Sequence, residues 1–173
     1  MANETKGVFT LQDVRDRELA GTWIKWYNVP YHPATIGTSN IWFGGGSTGS
    51  GVDRVIFASD TSTAVAKGPL SLGRSELAAH GNTTDAWFGG GDAPGTRSTV
   101  DRIIFSSDTS TAVAKGPLSS VRRLLAAHGN TTDAWFGGGR NVSRVDRIIF
   151  LSDTATAVAK GPLSAARLDL ASN

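Results

Sequence analysis

Cysteine is absent from this chain of 173 residues, and so is any long hydrophobic run. Without cysteine there are no disulfides, no thiolate nucleophiles and no cysteine-bound zinc. No apolar run approaches the ~18 residues of a transmembrane helix, and the opening "MANETKG" lacks the apolar core of a signal peptide. We therefore expect a soluble protein without a membrane span, made in a cytoplasm.

A strong charge of one sign is also missing. Lysine and arginine total 17 against 15 acidic residues, the net charge is +2, and no basic cluster indicates nucleic-acid binding. Glycine, in contrast, is abundant at 21 residues, and apolar residues make up 39% of the chain. This composition favours a globular, turn-rich fold of many short strands.

The chain contains three copies of one unit. Each copy has an aromatic-Phe-Gly-Gly-Gly motif followed by a block such as "VDRIIFSSDTSTAVAKGPLS", and the blocks cover residues 52–71, 100–119 and 145–164. An arginine follows every block, at Arg74, Arg122 and Arg167. Equivalent aspartates lie 48 and then 45 positions apart, at Asp53, Asp101 and Asp146. Such a period indicates a repeat architecture.

Each unit predicts four short strands. "LAAHG" and "AWF" are separated by the turn-forming "NTTD", "VDRIIF" is β-branched and aromatic, and "STAVAK" ends at Gly-Pro. The glycine triplet provides the backbone freedom for a tight exit and for close approach of a neighbouring strand. We expect an all-β fold of three tandem four-stranded, propeller-like repeats, or alternatively a pseudo-three-fold β-prism or trefoil-like body.

The two ends of the repeat region predict how it closes. The first unit starts at "IWFGGG" without a preceding "LAAHGN", and the last stops at "LDLASN". Pairing these ends would hide two sheet edges, either within one chain or between subunits. Because near-identical repeats favour mispairing, which a fixed assembly could suppress, we also expect a homo-oligomer.

The unit resembles the kelch repeat, in which an aromatic residue precedes a glycine pair. Phe88-Gly89-Gly90 takes the glycine-pair place, and Phe105 takes the place of the aromatic residue before "SSDTST". The resemblance covers residues 41 to 171 and implies kelch-like, propeller-like repeats.

The chain is also similar to repeat proteins of phages that infect cyanobacteria. The shared elements are aromatic-Phe-Gly-Gly-Gly, Val-Asp-Arg-Ile, Asp-Thr-x-Thr-Ala, Gly-Pro-Leu-Ser and Leu-Ala-Ala-x-Gly-Asn. The head "GVFTLQDVRDRELAGTW" at 7–23 resembles the N-terminal element of phage tail and fibre proteins. The resemblance implies a virion tail-fibre or baseplate-associated host-attachment protein. Its partners would be other tail or baseplate proteins and a host surface glycan.

The predicted domains are an N-terminal segment, 1–33, and a repeat domain, 34–173, with units at about 41–85, 86–133 and 134–173. Thr10 and Asp13 resemble a capping box, so a short helical anchor is expected. The candidate docking residues are Phe9, Leu11, Val14, Leu19, Trp23, Trp26, Tyr27 and Tyr31. Their aromatic side chains suit either docking to a virion protein or covering one end of the β body.

The repeated polar residues favour structure over catalysis. Neighbouring strand residues point to opposite faces, so each Asp-Arg pair, as in Asp101-Arg102, predicts salt bridges between neighbouring blades rather than one active site. His80 and His128 are interpreted as turn residues rather than metal ligands. We expect no enzyme activity, no cofactor and no metal site.

The repeated tryptophans, Trp42, Trp87 and Trp135, have two interpretations. Packing in the core or between blades is favoured, because a buried aromatic side chain contributes about 1.5–3 kcal/mol or more. As candidate glycan contacts they would instead stack on sugar rings. The leading hypothesis is a structural virion protein located in the tail, and the rival is a free carbohydrate-binding lectin with one site per repeat.

Overall fold

A computed structural model describes residues 40–47 and 49–172, which form eleven short strands in three separate antiparallel sheets. The first sheet contains β1 (Asn40–Gly44), β2 (Val52–Ile56) and β3 (Val65–Lys67). The second contains β4 (Ala78–Gly81), β5 (Asp85–Gly89), β6 (Val100–Ile104) and β7 (Val113–Lys115). The third contains β8 (Ala126–Gly129), β9 (Asp133–Gly137), β10 (Val145–Ile149) and β11 (Val158–Lys160). Strands adjacent in sequence are adjacent in each sheet, and none of the sheets is closed.

The predicted all-β class is confirmed, as are four strands for the second and third units. The strand "LAAHG" pairs with the "AWF" strand that follows it, with His80 opposite Trp87. Each of these sheets therefore starts before the predicted unit boundary, at Ala78 and Ala126. The first sheet has three strands among the described residues, and the predicted helical anchor at 1–33 lies outside them.

The turns follow from the residues that the sequence places there. The Asn82 side-chain oxygen accepts hydrogen bonds from the backbone N–H groups of Thr84 and Asp85, each at 2.9 Å, which closes the β4–β5 turn. Gly90 and Gly91 have φ angles of 72° and 108°, a region that strongly favours glycine. The glycine triplet therefore provides the predicted tight exit from β5.

Strand alternation gives each sheet two different faces. Phe88 lies opposite Asp101 on one face, and Trp87 lies opposite Arg102 on the other. We call these the Phe–Asp face and the Trp–Arg face, and the same register recurs in the first and third sheets. The Phe–Asp face of each later sheet packs against the Trp–Arg face of the sheet before it, as the contacts below show.

The core lies between successive sheets. The cluster between the first and second units comprises Val52, Leu70, Ala86, Phe88, Ile103 and Ala112. The cluster between the second and third comprises Trp87, Val100, Leu118, Leu125, Ala134, Phe136, Ile148 and Ala157. Because each cluster draws on two units, a single unit does not bury its own apolar surface, as expected of a repeat architecture.

The closure expected between the two ends of the repeat region does not form within the described chain. There, β1 pairs with β2 alone, and the C-terminal residues form no strand. Instead the backbone N–H of Asp169 donates to the Leu124 carbonyl at 3.2 Å, as the N–H of Leu124 does to Glu76 at 2.9 Å. The C-terminal segment thus repeats the path of the preceding link, and it continues the stack rather than returning to Trp42.

Candidate functional site

A buried ion pair joins each unit to the next. Arg74 Nη1 lies 2.7 Å from Asp101 Oδ2, and Arg122 Nη2 lies 2.7 Å from Asp146 Oδ2. All four side chains are 0% exposed. The arginine is in the link between units and the aspartate is on the Phe–Asp face of the following sheet, so the pair fixes the position of one sheet against the next.

Further hydrogen bonds reach the charged groups of these pairs, as Arg122 and Asp146 show. Arg122 also donates to the carbonyls of Phe136, Gly138 and Arg144, at 3.3, 3.1 and 2.9 Å. Burial lowers the pKa of the Arg122 guanidinium, while the attraction of Asp146 raises it. The carboxylate of Asp146 in turn accepts from the N–H and the hydroxyl of a serine, Ser119, at 2.9 and 2.6 Å.

A second charged group lies nearer the rim of each junction. Asp153 Oδ2 accepts hydrogen bonds from Arg102 and from the Trp87 indole N–H, each at 3.0 Å, and Lys115 Nζ lies 3.3 Å from Oδ1. The first junction has an equivalent group of Arg54, Lys67 and Asp108, in which both ion-pair distances are 3.1 Å. The prediction that the repeated Asp-Arg residues form salt bridges between units is therefore confirmed for Arg54, Asp101, Arg102 and Asp146. Arg147 instead lies 3.6 Å from Asp133 of its own unit.

Aromatic stacking completes each junction. Trp42 stacks on Phe105 with ring centroids 4.6 Å apart, and Trp87 stacks on Phe150 at 3.8 Å. A Cβ on Gly89 would lie 2.7 Å from the Phe136 ring, so the glycine leaves the space that this ring fills. The glycine spacing and the aromatic spacing in the sequence thus serve the same contact.

Backbone hydrogen bonds at the Gly-Pro step hold the outer part of each junction. Gly116 N–H donates to the Asp153 carbonyl, and Ala157 N–H donates to the Pro117 carbonyl, each at 2.8 Å. A Cβ on Gly116 would overlap the carbonyl oxygen of Ala155. Glycine is therefore required here for close approach of two backbones.

The three candidate glycan-contacting tryptophans have different surroundings. Trp87 is 1% exposed, so a sugar could reach its ring only if the junction opened. Trp42 is half-buried against Phe105. Trp135 is half-buried at the end of the stack, where it lines a cavity of about 300 Å³ together with His128 and Arg167.

The candidate docking residues of the N-terminal segment lie outside the described residues. These are Phe9, Leu11, Val14, Leu19, Trp23, Trp26, Tyr27 and Tyr31. Their roles therefore stay predictions.

The two histidines of the identical fifteen-residue blocks lie in strands, not in turns as the sequence indicated. His80 is in β4 and His128 in β8, with ring centroids 5.2 Å apart. Burial lowers the pKa of His80, a contact with the Asn130 carbonyl at 3.3 Å raises it, and repulsion by His128 lowers it. Within residues 40–47 and 49–172 there is no group of three or more metal-ligating side chains.

Sequence reasoning missed the rim residues Asp108, Asp153, Lys67 and Lys115. A signal was available, because the aspartate of "SDT" and the lysine of "AKGP" are identical in all three units, whereas a nearby position changes from Ala58 to Ser106 to Leu151. Invariant polar residues among varying neighbours indicate a shared contact.

Comparison of the chain with protein-family models and with curated proteins finds no match. In the part of the chain that the structure describes, no helix is long and apolar enough to cross a membrane.

Proposed function

We propose that this chain is a structural component of a phage virion, a tail-fibre or baseplate-associated host-attachment protein. In this proposal the three units are kelch-like, propeller-like blades that form the body, and residues 1–33 attach it to the particle. Two independent resemblances support the proposal, one in the repeat units and one in the N-terminal "GVFTLQDVRDRELAGTW".

The main support for a structural role is that the repeated polar side chains contact other units of the same chain. The buried pairs Arg74–Asp101 and Arg122–Asp146, and the rim aspartates Asp108 and Asp153, all bind one unit to the next. Groups occupied in this way hold the body together instead of meeting a substrate. A stack of units joined in this way suits a protein that presents a surface away from the particle.

The test is to locate the chain in purified phage particles by mass spectrometry and by gold-labelled antibody in electron micrographs. Label on the tail or baseplate is the expected result, and a chain found only in the soluble lysate would refute the virion role. Deletion of residues 1–33 should abolish incorporation. Incorporation of the deleted chain at the normal level would refute the anchoring role of this segment.

A lectin is the second candidate, and the position of Trp135 favours it at a single site. Trp135 borders an open cavity with charged and apolar walls, a combination that binds sugar rings by stacking and hydrogen bonding. Glycan-array binding that is lost in Trp135→Ala and kept in Trp135→Tyr, with folding unchanged, would support it. If the wild-type chain binds no glycan on the array, the lectin hypothesis is refuted.

A further inference from the structure

The first unit presents its Phe–Asp face without a unit in front of it among the described residues. Phe43 is 57% exposed, whereas its equivalents Phe88 and Phe136 are 1% and 0% exposed. Asp53 is exposed as well, although Asp101 and Asp146 in the same repeat position are fully buried.

The loop of the first unit shows the same difference. Phe57 is 54% exposed, and Asp60 is exposed, whereas the equivalent Asp108 and Asp153 are held in ion pairs. Within residues 40–47 and 49–172 neither Asp53 nor Asp60 has an ion-pair partner. This end of the stack is therefore acidic and aromatic.

The third unit presents the matching Trp–Arg face at the other end. Arg167 is exposed, although Arg74 and Arg122 in the same position are 0% and 1% exposed. Lys160 is exposed too, and a Cβ on Gly161 would meet nothing within 4 Å. The structure thus leaves one half of a junction open at each end of the described stack. The open half at the first unit is acidic, and the open half at the third unit is basic.

We propose that two copies of the chain associate head to tail, with the third unit of one copy packed on the first unit of the next through the same junction that joins the units internally. The repeat alignment specifies the contacts. The expected pairs are Arg167 with Asp53, Lys160 with Asp60, Trp135 with Phe57, and Gly137 with Phe43.

The two internal junctions are the basis for choosing a second copy as the occupant. The residues that would pair between copies have equivalents that are already in contact inside the chain. Arg122, the equivalent of Arg167, lies 2.7 Å from Asp146, the equivalent of Asp53. The two faces are also opposite in charge, which favours their encounter. Because the faces differ, the contact is heterologous, and it either closes into a ring or extends. The inference rests on this repeat geometry alone and not on the virion role.

The first experiment measures the mass of the full chain by sedimentation velocity over a range of concentrations. A mass of two or more chains is expected, and a monomer at all concentrations would overturn the proposal. Phe43→Asp disrupts only the acidic end, and Arg167→Asp disrupts only the basic end. Since both side chains are exposed, each variant should fold normally, and its self-association should weaken at least about tenfold.

Mixing the two variants distinguishes a head-to-tail contact from a symmetric one. The Phe43→Asp chain keeps an intact basic end and the Arg167→Asp chain keeps an intact acidic end, so an equimolar mixture should form a dimer with one chain of each kind. A symmetric dimer interface would not be restored by mixing, and two monomers in the mixture would therefore refute the head-to-tail contact. As a control, Thr83→Asp in an exposed turn of the middle unit should leave association unchanged.

Two more measurements distinguish a second copy of the chain from other segments that could cover the acidic face. If another segment of the same chain covered the acidic face, Phe43→Asp would lower the melting temperature of a monomer without changing its mass, which would overturn the proposal. Gly161→Ala adds one methyl group where Gly68 and Gly116 approach the next unit's backbone. It should weaken association and leave the melting temperature of the dissociated chain unchanged.

Discussion

Removal of the Arg122 side chain should be among the most damaging single changes in the protein. Arg122→Ala leaves the Asp146 carboxylate, which is 0% exposed, without its cation and leaves the carbonyls of Phe136, Gly138 and Arg144 without this donor. Breaking one side of a buried pair costs about 3–5 kcal/mol. For a chain of this size that corresponds to a fall of roughly 6–20 °C in melting temperature.

Thermal and urea unfolding, followed by tryptophan fluorescence, measure this loss. Arg140→Ala is the matched control, because Arg140 is an exposed arginine and its removal should change the stability by no more than about 0.5 kcal/mol. The double variant Arg122→Met/Asp146→Leu removes both charges and should recover much of the stability. A loss of less than about 1 kcal/mol in the free energy of unfolding of Arg122→Ala would refute the reasoning, since a buried carboxylate left without its cation should destabilise the fold by more than this.

Three further predictions concern other residues of the junctions. Gly116→Ala should destabilise the chain by about 1–3 kcal/mol, because its methyl group overlaps the Ala155 carbonyl, and equal stability of Gly116→Ala and wild type in urea would contradict this. In calorimetry of the dissociated chain, Trp87→Ala should cost about 3–5 kcal/mol and Trp135→Ala distinctly less, because the first ring is 1% exposed and the second half-buried. Burial lowers the pKa of His80 in the folded chain, so the unfolded chain, in which a histidine has a pKa of about 6.5, binds the proton more readily. The free energy of unfolding should therefore decrease as the pH is lowered from 7.5 to 5.5. His80→Asn should flatten that slope, and an unchanged slope would refute the assignment.

From the sequence it was possible to predict the strands and the packing of each repeat against its neighbour. The β-branched and aromatic residues of "VDRIIF", the turn residues of "NTTD" and the glycine triplet are local signals, and each has its expected consequence in β6, in the β4–β5 turn and at Gly90. The salt bridges between units followed from a local rule too, because adjacent strand residues such as Asp101 and Arg102 must face different neighbours.

The choice of partners was not predictable from local signals. Asp101 pairs with Arg74, 27 positions earlier, and Asp153 pairs with Arg102, 51 positions earlier. These distances depend on how one sheet lies on the next, which no pattern within a unit specifies. For the same reason the path of the C-terminal segment along Leu124 was missed, since hiding exposed sheet edges was the only guide that the sequence offered.

The absence of cysteine permits a direct test of the central claim, that one junction recurs at every step of the stack and again between copies. Two single-cysteine chains, Ser62→Cys and Lys160→Cys, are mixed and treated with a short thiol-specific bifunctional linker. In the internal junctions the equivalents of these positions are adjacent, because a Cβ on Gly68, next to Lys67, would overlap the carbonyl of Ser110. We expect a cross-linked product that joins position 62 of one chain to position 160 of another. Products that join like positions only, or no product at all, would contradict the claim.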